Sequence, residues 1–180
     1  MDKITLFDKT FKTFISSDEL EQAISAVADR INKDFEGCTD VPVILCVLNG
    51  AMPFASSLLL KLDFDCELAS VKLKSYSGTS STGDVKQMMG FTTDVKGRRV
   101  IVVEDIVDTG NTIVSLKQQL EAHNAAEVRI CTMLLKPDVY DKELKLDYVA
   151  KEIPNKFIVG YGLDYNEIGR NYKDIYILDE

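Results

Sequence analysis

Three carboxylates lie beside a turn that could hold an anion, in the segment VIVVEDIVDTGNT at positions 100–112. Glu104 and Asp105 end an apolar run, and Asp108 opens the polar sequence that follows it. Where a strand leads into a helix, several backbone N–H groups lack intrahelical partners and the helix dipole is positive, an arrangement that binds phosphate. Because carboxylates repel phosphate, these acids must face sugar hydroxyls or a divalent cation.

The residues of the turn suit the same ligand. Gly110 permits a close approach of the backbone, and Thr109 and Thr112 add hydroxyl donors without adding negative charge. A phosphate at a helix end, a hydroxyl-bearing sugar beside it and a nearby cation together describe a phosphorylated ribose. The segment therefore predicts a site for such a sugar.

The elements that must position this segment alternate between strand and helix patterns. Short apolar or alternating runs predict strands at 42–48, 64–76, 100–105, 128–135 and 156–160. Helical spacing predicts helices at 16–35, 53–62 and 113–124, the first with Ser16 and Glu19 as a capping box. This alternation predicts an α/β fold, a three-layer, mainly parallel sheet flanked by helices. Ligands in such folds bind outside the carboxyl ends of the strands, where Glu104 and Asp105 are expected.

One polar stretch departs from the alternation. Residues 75–87, SYSGTSSTGDVKQ, are rich in serine, threonine and glycine. Long loops of this kind in compact domains often cover ligands. We expect a mobile loop that acts as a lid over the site.

Composition limits the classes of partner. The 180 residues are 46% hydrophobic and 28% charged, which is typical of one soluble domain spanning 1–180. The formal net charge of −8 argues against nucleic acid or anionic lipid as a partner. The longest apolar run is too short to span a bilayer, and the first residues lack a signal pattern, so we expect a cytoplasmic protein. The four widely separated cysteines are expected to be free thiols.

The segment VVEDIVDTGNT closely resembles the 5-phosphoribosyl-1-pyrophosphate (PRPP) signature of the type I phosphoribosyltransferases. Other segments match the hypoxanthine-guanine phosphoribosyltransferase family in order and spacing, and together they span residues 43 to 170: LNG (48–50), KSYSGTSSTGDVK (74–86), LLKPD (134–138) and KFIVGYGLDYNEIGR (156–170). The resemblance implies the type I phosphoribosyltransferase fold, with a small hood subdomain formed by the N-terminal and C-terminal segments. It also implies a homodimer or homotetramer that acts in purine salvage.

The resemblance assigns residues to PRPP. By this comparison Glu104 and Asp105 bind the ribose hydroxyls, directly or through the waters of Mg²⁺, which is the implied cofactor. The phosphate loop corresponds to Asp108, Thr109, Gly110, Asn111 and Thr112. The pyrophosphate loop corresponds to Leu48, Asn49 and Gly50, with a cis peptide between its first two residues. A second pyrophosphate contact corresponds to Arg170, and the head of the closing loop to Ser75 and Tyr76. Some relatives carry a basic residue where Asn49 stands, so one charged contact to pyrophosphate has no counterpart here.

A second group of residues is assigned to the purine. Lys136 matches the residue that donates to the 6-oxo group, Phe157 stacks on the ring, and the Ile158 backbone bonds its edge. Asp164 matches a carboxylate that ligates Mg²⁺, with its backbone near the purine two-position. Asp108 matches the proton acceptor from purine nitrogen 7. The implied reaction is Mg²⁺-dependent transfer of the 5-phosphoribosyl group from PRPP to hypoxanthine or guanine, giving IMP or GMP and pyrophosphate.

Two other functions fit the same motifs. One is a phosphoribosyltransferase that prefers xanthine, because the sequence does not rank the three 6-oxopurines. The other is a regulator of the same fold that senses PRPP and binds RNA or DNA. A regulator of that kind needs a basic face, and the acidic composition together with the base-binding set argues for the enzyme.

Overall fold

The computed structural model describes residues 2–75, 85–87 and 93–179. Within these residues the chain forms ten strands and three α-helices. In chain order they are β1 (Lys3–Leu6), β2 (Lys9–Ile15), α1 (Ser17–Asp34), β3 (Val43–Leu48), α2 (Met52–Leu59), β4 (Glu67–Ser75), β5 (Val85–Gln87), β6 (Arg99–Val107), α3 (Asn111–Ala122), β7 (Glu127–Leu135), β8 (Tyr148–Glu152), β9 (Ile158–Val159) and β10 (Ile175–Leu178).

The larger sheet has six strands in the order β5-β4-β3-β6-β7-β8. All of them are parallel except β5, which pairs antiparallel with β4 at the edge. β3 and β6 are almost continuously apolar because both faces of the sheet are covered. Helices α1 and α2 pack on one face of the sheet over a shared cluster of buried side chains, and α3 packs on the other face over a second cluster. The predicted three-layer α/β fold is confirmed.

Local signals place the helices accurately. The Ser16 side chain caps α1, and the Glu19 side chain accepts a hydrogen bond from the Ser16 backbone N–H, so the predicted capping box is present. Pro53 lies in the first turn of α2, where its missing N–H removes no hydrogen bond. None of the helices in the described residues is long and apolar enough to cross a membrane.

A second, antiparallel sheet joins the two ends of the chain. Its strand order is β1-β2-β10-β9, so residues near the N-terminus pair with residues near the C-terminus. Its buried side chains form a separate small cluster: Leu6, Phe11, Val159 and Tyr176. This sheet lies outside the parallel sheet but supplies β9, which carries part of the candidate site.

The structure corrects the sequence interpretation in three places. Residues 85–87, predicted as part of a loop, form β5, while residues 76–84 lie outside the described part of the chain. The short strand predicted at 156–160 belongs to the second sheet, because it pairs with β10 rather than with a parallel neighbour. The sequence did not indicate β1, β2, β8 or β10. The four cysteines are free thiols as predicted, and Cys46 and Cys131 are buried.

Candidate active site

Two carboxylates lie side by side at the carboxyl end of β6. Glu104 is 9% exposed, and its Oε2 is buried without a hydrogen-bond partner among the described residues. Burial and the adjacent charge of Asp105 raise the pKa of Glu104 well above that of an ordinary glutamate. Burial also raises the pKa of Asp105, although the Ile106 N–H donates to its carboxylate over 2.8 Å. The pair carries negative charge that nothing in its surroundings fully compensates.

The turn after β3 approaches this pair so closely that only glycine fits. A Cβ built on Gly50 would lie 1.6 Å from Asp105 Oδ2. A Cβ on Gly162 would lie 2.0 Å from the carbonyl oxygen of Gly50, so the C-terminal segment is held against the same turn. The Leu48–Asn49 peptide bond is cis, as the family resemblance implied. The predicted pyrophosphate loop and the predicted ribose-binding acids are therefore in direct contact.

The predicted phosphate loop runs from β6 into α3. Gly110 is the N-cap of α3, has φ of +79° and offers no side chain to the first turn, so the backbone there is free to meet a ligand. A Cβ on Gly110 would lie 2.5 Å from the ring of Tyr140. Asp108 and Thr109 before it are exposed, and the helix begins at Asn111. This arrangement matches the strand-to-helix anion site that the sequence predicted.

A cavity of about 300 Å³ brings the two groups of predicted residues together. Its lining includes Asp105 and Asp108 of the predicted PRPP group and the predicted purine residues Lys136, Phe157, Ile158 and Asp164. Lys136 is buried, and its Nζ lies 3.3 Å from Asp108 Oδ2. Phe157 is 42% exposed, which leaves much of its side chain available to a planar ligand. The cavity thus combines a donor, an acceptor and an aromatic ring.

Arg170 lies in the same segment as Asp164 and is paired with acids in this structure. Its Nη2 lies 2.7 Å from Asp164 Oδ1 and 3.0 Å from Glu167 Oε2, and its Nη1 donates to the Gly162 carbonyl over 2.8 Å. Its charge also lowers the pKa of Asp105, against the larger effect of burial. The guanidinium can bind an anionic ligand only by exchanging some of these partners.

The predicted metal ligands do not form one protein-only site. Among the described residues no group of three or more histidine, cysteine, aspartate or glutamate side chains is close enough to hold a metal ion. Glu104 and Asp105 are adjacent, whereas Asp164 is engaged by Arg170 and by the Glu167 N–H. The uncompensated Glu104–Asp105 pair is nonetheless the kind of oxygen donor set that binds Mg²⁺ together with substrate and water.

Two predicted residues and three missed ones complete the account. Ser75 is the last residue of β4, and Tyr76 lies outside the described residues. Ile106, Lys156 and Leu163 also line the cavity, although the sequence assigned them no role. The position of Lys156 directly before Phe157 was the available signal for it.

A larger cavity, of about 540 Å³, lies at the opposite end of the sheet, beside Phe35 and Phe64. Two of its acids already have partners: Asp40 pairs with Arg99, and Asp63 accepts from Asn32. It contains none of the predicted site residues. The smaller cavity therefore remains the candidate active site.

Comparisons with known proteins identify the family of the chain. The family described as the phosphoribosyl transferase domain matches residues 16–166. Hypoxanthine-guanine phosphoribosyltransferase from Streptococcus pneumoniae is 38% identical over 170 residues, 94% of this chain and 93% of that protein. The Lactococcus lactis enzyme of the same name is 39% identical over 168 residues, 93% of this chain and 90% of that protein.

Solved structures give the same result. The crystal structure of a hypoxanthine-guanine phosphoribosyltransferase from Bacillus anthracis matches with a TM-score of 0.87 and 36% identity, covering 93% of this chain and 98% of that one. A Trypanosoma cruzi hypoxanthine phosphoribosyl transferase matches with a TM-score of 0.88 and 28% identity, covering 98% and 95%. This chain therefore belongs to the hypoxanthine-guanine phosphoribosyltransferase family.

Proposed function

We propose that this enzyme transfers the 5-phosphoribosyl group from PRPP to hypoxanthine or guanine, giving IMP or GMP and pyrophosphate in purine salvage. The observation that carries the proposal is the shared cavity, which Lys136 and Phe157 line together with Asp105 and Asp108. A base and a phosphorylated ribose held there would have their reacting atoms side by side, and such placement supplies much of the catalysis of a two-substrate reaction.

Recognition of the base is proposed to rest on four residues. Lys136 carries only donors, so it suits the 6-oxo acceptor of hypoxanthine or guanine. Phe157 would stack on the ring, the Ile158 backbone would bond its edge, and the Asp164 backbone would lie near the two-position. The burial of Lys136 beside Asp108 supports this role, because its ammonium group has three donors and the base would supply a further acceptor.

For the reaction itself we propose that purine nitrogen 9 displaces pyrophosphate from the anomeric carbon with inversion. Asp108 would accept the proton from nitrogen 7 as the new bond forms. Its side chain is half-exposed and 3.3 Å from Lys136, so the two groups can address neighbouring atoms of one base. Arg170 would leave its carboxylate partners to bind the departing pyrophosphate, for which a bidentate guanidinium is well suited.

PRPP itself is proposed to bind between two loops. Leu48, Asn49 and Gly50 would hold its pyrophosphate, and the backbone from Asp108 to Thr112 would hold its 5′-phosphate. The glycine-only approach of Gly50 to Asp105 supports this arrangement, since the proposed pyrophosphate loop would then lie directly beside the acids proposed for the ribose hydroxyls. Ser75 and Tyr76 are proposed to head a loop that closes over the bound substrates.

We propose Mg²⁺ as the cofactor. Glu104 and Asp105 would hold it directly or through water, with Asp164 as a further ligand, and the ion would neutralise charge on the pyrophosphate. The buried, unpartnered Glu104 Oε2 and the raised pKa of Glu104 support this fit, because a nearby cation would relieve both. Nucleotide formation should stop on chelation and return with added Mg²⁺, and full activity after exhaustive chelation would contradict the assignment.

The function is tested by a steady-state assay of purified protein with PRPP and each purine. We expect nucleotide formation with hypoxanthine or guanine and a lower specificity constant for xanthine. A higher specificity constant for xanthine would make it the alternative enzyme of the same class. Failure to form nucleotide from PRPP with any 6-oxopurine would reject the catalytic proposal.

The setting of the enzyme is part of the same proposal. We infer one catalytic domain over residues 1–180, a cytoplasmic location, and a homodimer or homotetramer with no nucleic acid or membrane partner. The net charge of −8 supports the absence of polyanionic partners. Sedimentation equilibrium would give the oligomeric state, and retention of nucleic acid during purification would count against the charge argument.

A further inference from the structure

The aromatic ring that faces the base is itself held by other aromatic rings. Phe157 precedes β9, and its carbonyl accepts a hydrogen bond from Leu178 N–H, which fixes its backbone to β10. Its ring centroid lies 5.6 Å from that of Tyr165 at an interplanar angle of 83°, and 5.9 Å from that of Phe11. An edge-to-face pair of this geometry is favourable and directional. The orientation of Phe157 therefore depends on Tyr165.

Tyr165 is held in turn by the tip of the N-terminal hairpin, which we define as the β1–β2 turn at Phe7 and Asp8. The Phe7 ring meets Tyr165 edge to face, with centroids 5.6 Å apart at 83°. The Tyr165 hydroxyl donates to Asp8 Oδ1 over 2.8 Å, and this hydrogen bond is the main cause that lowers the pKa of Asp8. Lys9 Nζ lies 5.8 Å from the centre of the same ring.

Phe7 is too exposed to contribute to a buried core. Its side chain is 60% exposed and its backbone has φ of +51°, an uncommon conformation for a bulky residue. The buried cluster of this sheet does not include it. Its one described ring contact is with Tyr165, which lies between Phe7 and Phe157.

We propose that Tyr165 is a positioning residue for the purine and that the hairpin tip locks it in place. The chain of contacts runs from Phe7 through Tyr165 to Phe157, so a segment at the N-terminus sets the angle of a ring in the active site. This inference rests on the proposed function, because it takes Phe157 to be the ring on which the base stacks. Residues that contact only PRPP have no part in it.

The test compares substitutions along the chain of contacts. Phe7→Ala and Tyr165→Leu should each raise KM for hypoxanthine, and the dissociation constant of IMP, by about 3- to 10-fold, the range for loss of an edge-to-face aromatic pair. The PRPP dissociation constant and kcat should change by less than about 2-fold, because neither ring orients the phosphate loop or the proton acceptor. Tyr165→Phe, which keeps the ring and loses only the bond to Asp8, should raise KM for hypoxanthine less than Tyr165→Leu does.

Two further variants separate positioning from folding. Tyr172→Leu removes another edge-to-face pair of the same sheet, with Tyr176, but does not involve Phe157, so its KM for hypoxanthine should match the wild type. Phe7→Ala in a Tyr165→Leu background should have no added effect, since Phe7 acts through Tyr165.

Each outcome decides the matter. If wild-type protein forms no nucleotide, the proposed function fails and the inference falls with it. If the wild type is active but Phe7→Ala leaves KM for hypoxanthine and IMP affinity unchanged, the hairpin has no positioning role and only this inference is overturned. Should Tyr165→Leu not fold, Phe7→Ala still decides, because Phe7 lies on the surface. Equal losses of PRPP and IMP affinity would also overturn it.

Discussion

At the amino end of the parallel sheet each of three arginines lies against a carboxylate, whereas at the carboxyl end two carboxylates lie against each other. Arg98, Arg99 and Arg129 pair with Glu67, Asp40 and Asp34. Glu104 and Asp105 at the other end share a buried position, and the Glu104 Oε2 has no partner among the described residues. The same strands therefore end in compensated charge on one side and in uncompensated charge on the other.

The amino end also gathers its charges around one aromatic ring. Arg99 and Arg129 lie 4.6 Å and 5.1 Å from the centre of the Phe35 ring, which stacks on Phe64. Paired, well-contacted cations of this kind stabilise a fold without needing a ligand. At the carboxyl end the mutual repulsion extends to Cys46 in β3: burial, then the charges of Glu104 and Asp105, raises the pKa of its thiol to about 11.

The difference indicates which end evolved to meet a ligand. Like charges held together in a buried place cost stability, and such an arrangement persists where binding or catalysis requires it. Opposite charges in contact need no such explanation. The comparison therefore predicts that changes at the carboxyl end affect activity more than stability, and that changes at the amino end do the reverse.

The largest expected effect is that of Asp108→Asn. The substitution keeps the shape of the side chain but removes the acceptor charge, so kcat should fall by about 10²- to 10⁴-fold, the usual range for loss of a general base. PRPP affinity should change little, because the phosphate is proposed to be bound by backbone groups, and the melting temperature should fall only slightly through loss of the half-exposed ion pair with Lys136. Single-turnover kinetics of IMP formation measure the chemical step directly.

Asp138→Asn is the matched control for that variant. Asp138 is an exposed carboxylate two residues after Lys136, and it does not line the cavity. Its kcat should equal that of the wild type. An unchanged chemical step in Asp108→Asn would make Asp108 a structural residue of the phosphate loop and would require another base.

The next effect concerns base selectivity. Lys136 and the 6-amino group of adenine are both hydrogen-bond donors, so no hydrogen bond can form between them. The specificity constant for adenine should therefore be lower than that for hypoxanthine by about 10²-fold or more. Lys136→Ala should reduce this ratio by lowering the value for hypoxanthine. Comparable specificity constants for the two bases in wild-type protein would refute the placement of Lys136 against the 6-oxo group.

The contrast between the two ends also explains what the sequence could predict. The strand-to-helix turn at Asp108 to Thr112 was predicted correctly, because these residues are contiguous and carry their own local signals. The α1 capping box was readable for the same reason, since Ser16 and Glu19 interact within one turn. In both cases the residues that determine the structure are neighbours in the chain.

Features built from distant segments could not be predicted in this way. β2 and β10 are short and half-buried, and what makes them strands is pairing between residues more than 150 positions apart; β1 pairs only with β2, as the other arm of a hairpin. The rings of Phe11, Tyr165 and Phe157 meet only because that pairing exists. The sequence likewise gave no sign that β5 would pair with β4, because a three-residue strand has little pattern of its own.

A third prediction concerns the paired charges at the amino end of the sheet. Arg129 donates to Glu127, Asp34 and the Tyr148 hydroxyl, so Arg129→Met would remove three hydrogen bonds and leave Asp34 with the one from the Tyr148 hydroxyl. We expect the free energy of unfolding to fall by about 2 kcal/mol, with a melting temperature lower by about 4–8 °C. Values of kcat and KM at 25 °C should remain within about 2-fold of wild type. Thermal denaturation and steady-state assays provide the two measurements.

The control for that variant is Lys145→Met, which removes an exposed cation. Its melting temperature should remain within about 1 °C of wild type, as is usual for surface substitutions. If Arg129→Met lost activity as strongly as Asp108→Asn, the division of roles between the two ends would be wrong.

The smallest effect is a gain of stability from Glu104→Gln in the free protein. Because the pKa of Glu104 is raised in the folded state, the fold prefers the protonated form, and stability is lost as pH rises from the ordinary glutamate pKa through the raised one. Above that window the wild type carries the full penalty of the charge. A glutamine amide cannot ionise, and it can donate to Asp105 as protonated Glu104 does, so the variant avoids the penalty.

At pH 8 Glu104→Gln should therefore be more stable than wild type by about 1 kcal/mol, and near pH 4 the two should be almost equal. Urea denaturation across this range measures the difference, and Asp105 leaves some pH dependence in both proteins. The exposed Glu143→Gln serves as the control and should be neutral throughout. PRPP with Mg²⁺ should raise the melting temperature of the variant less than that of wild type, because the acid proposed for the ribose and the cation is gone. A variant less stable than wild type at pH 8 would mean that the surroundings of the Glu104–Asp105 pair do compensate its negative charge. The proposed difference between the two ends of the sheet would then be wrong.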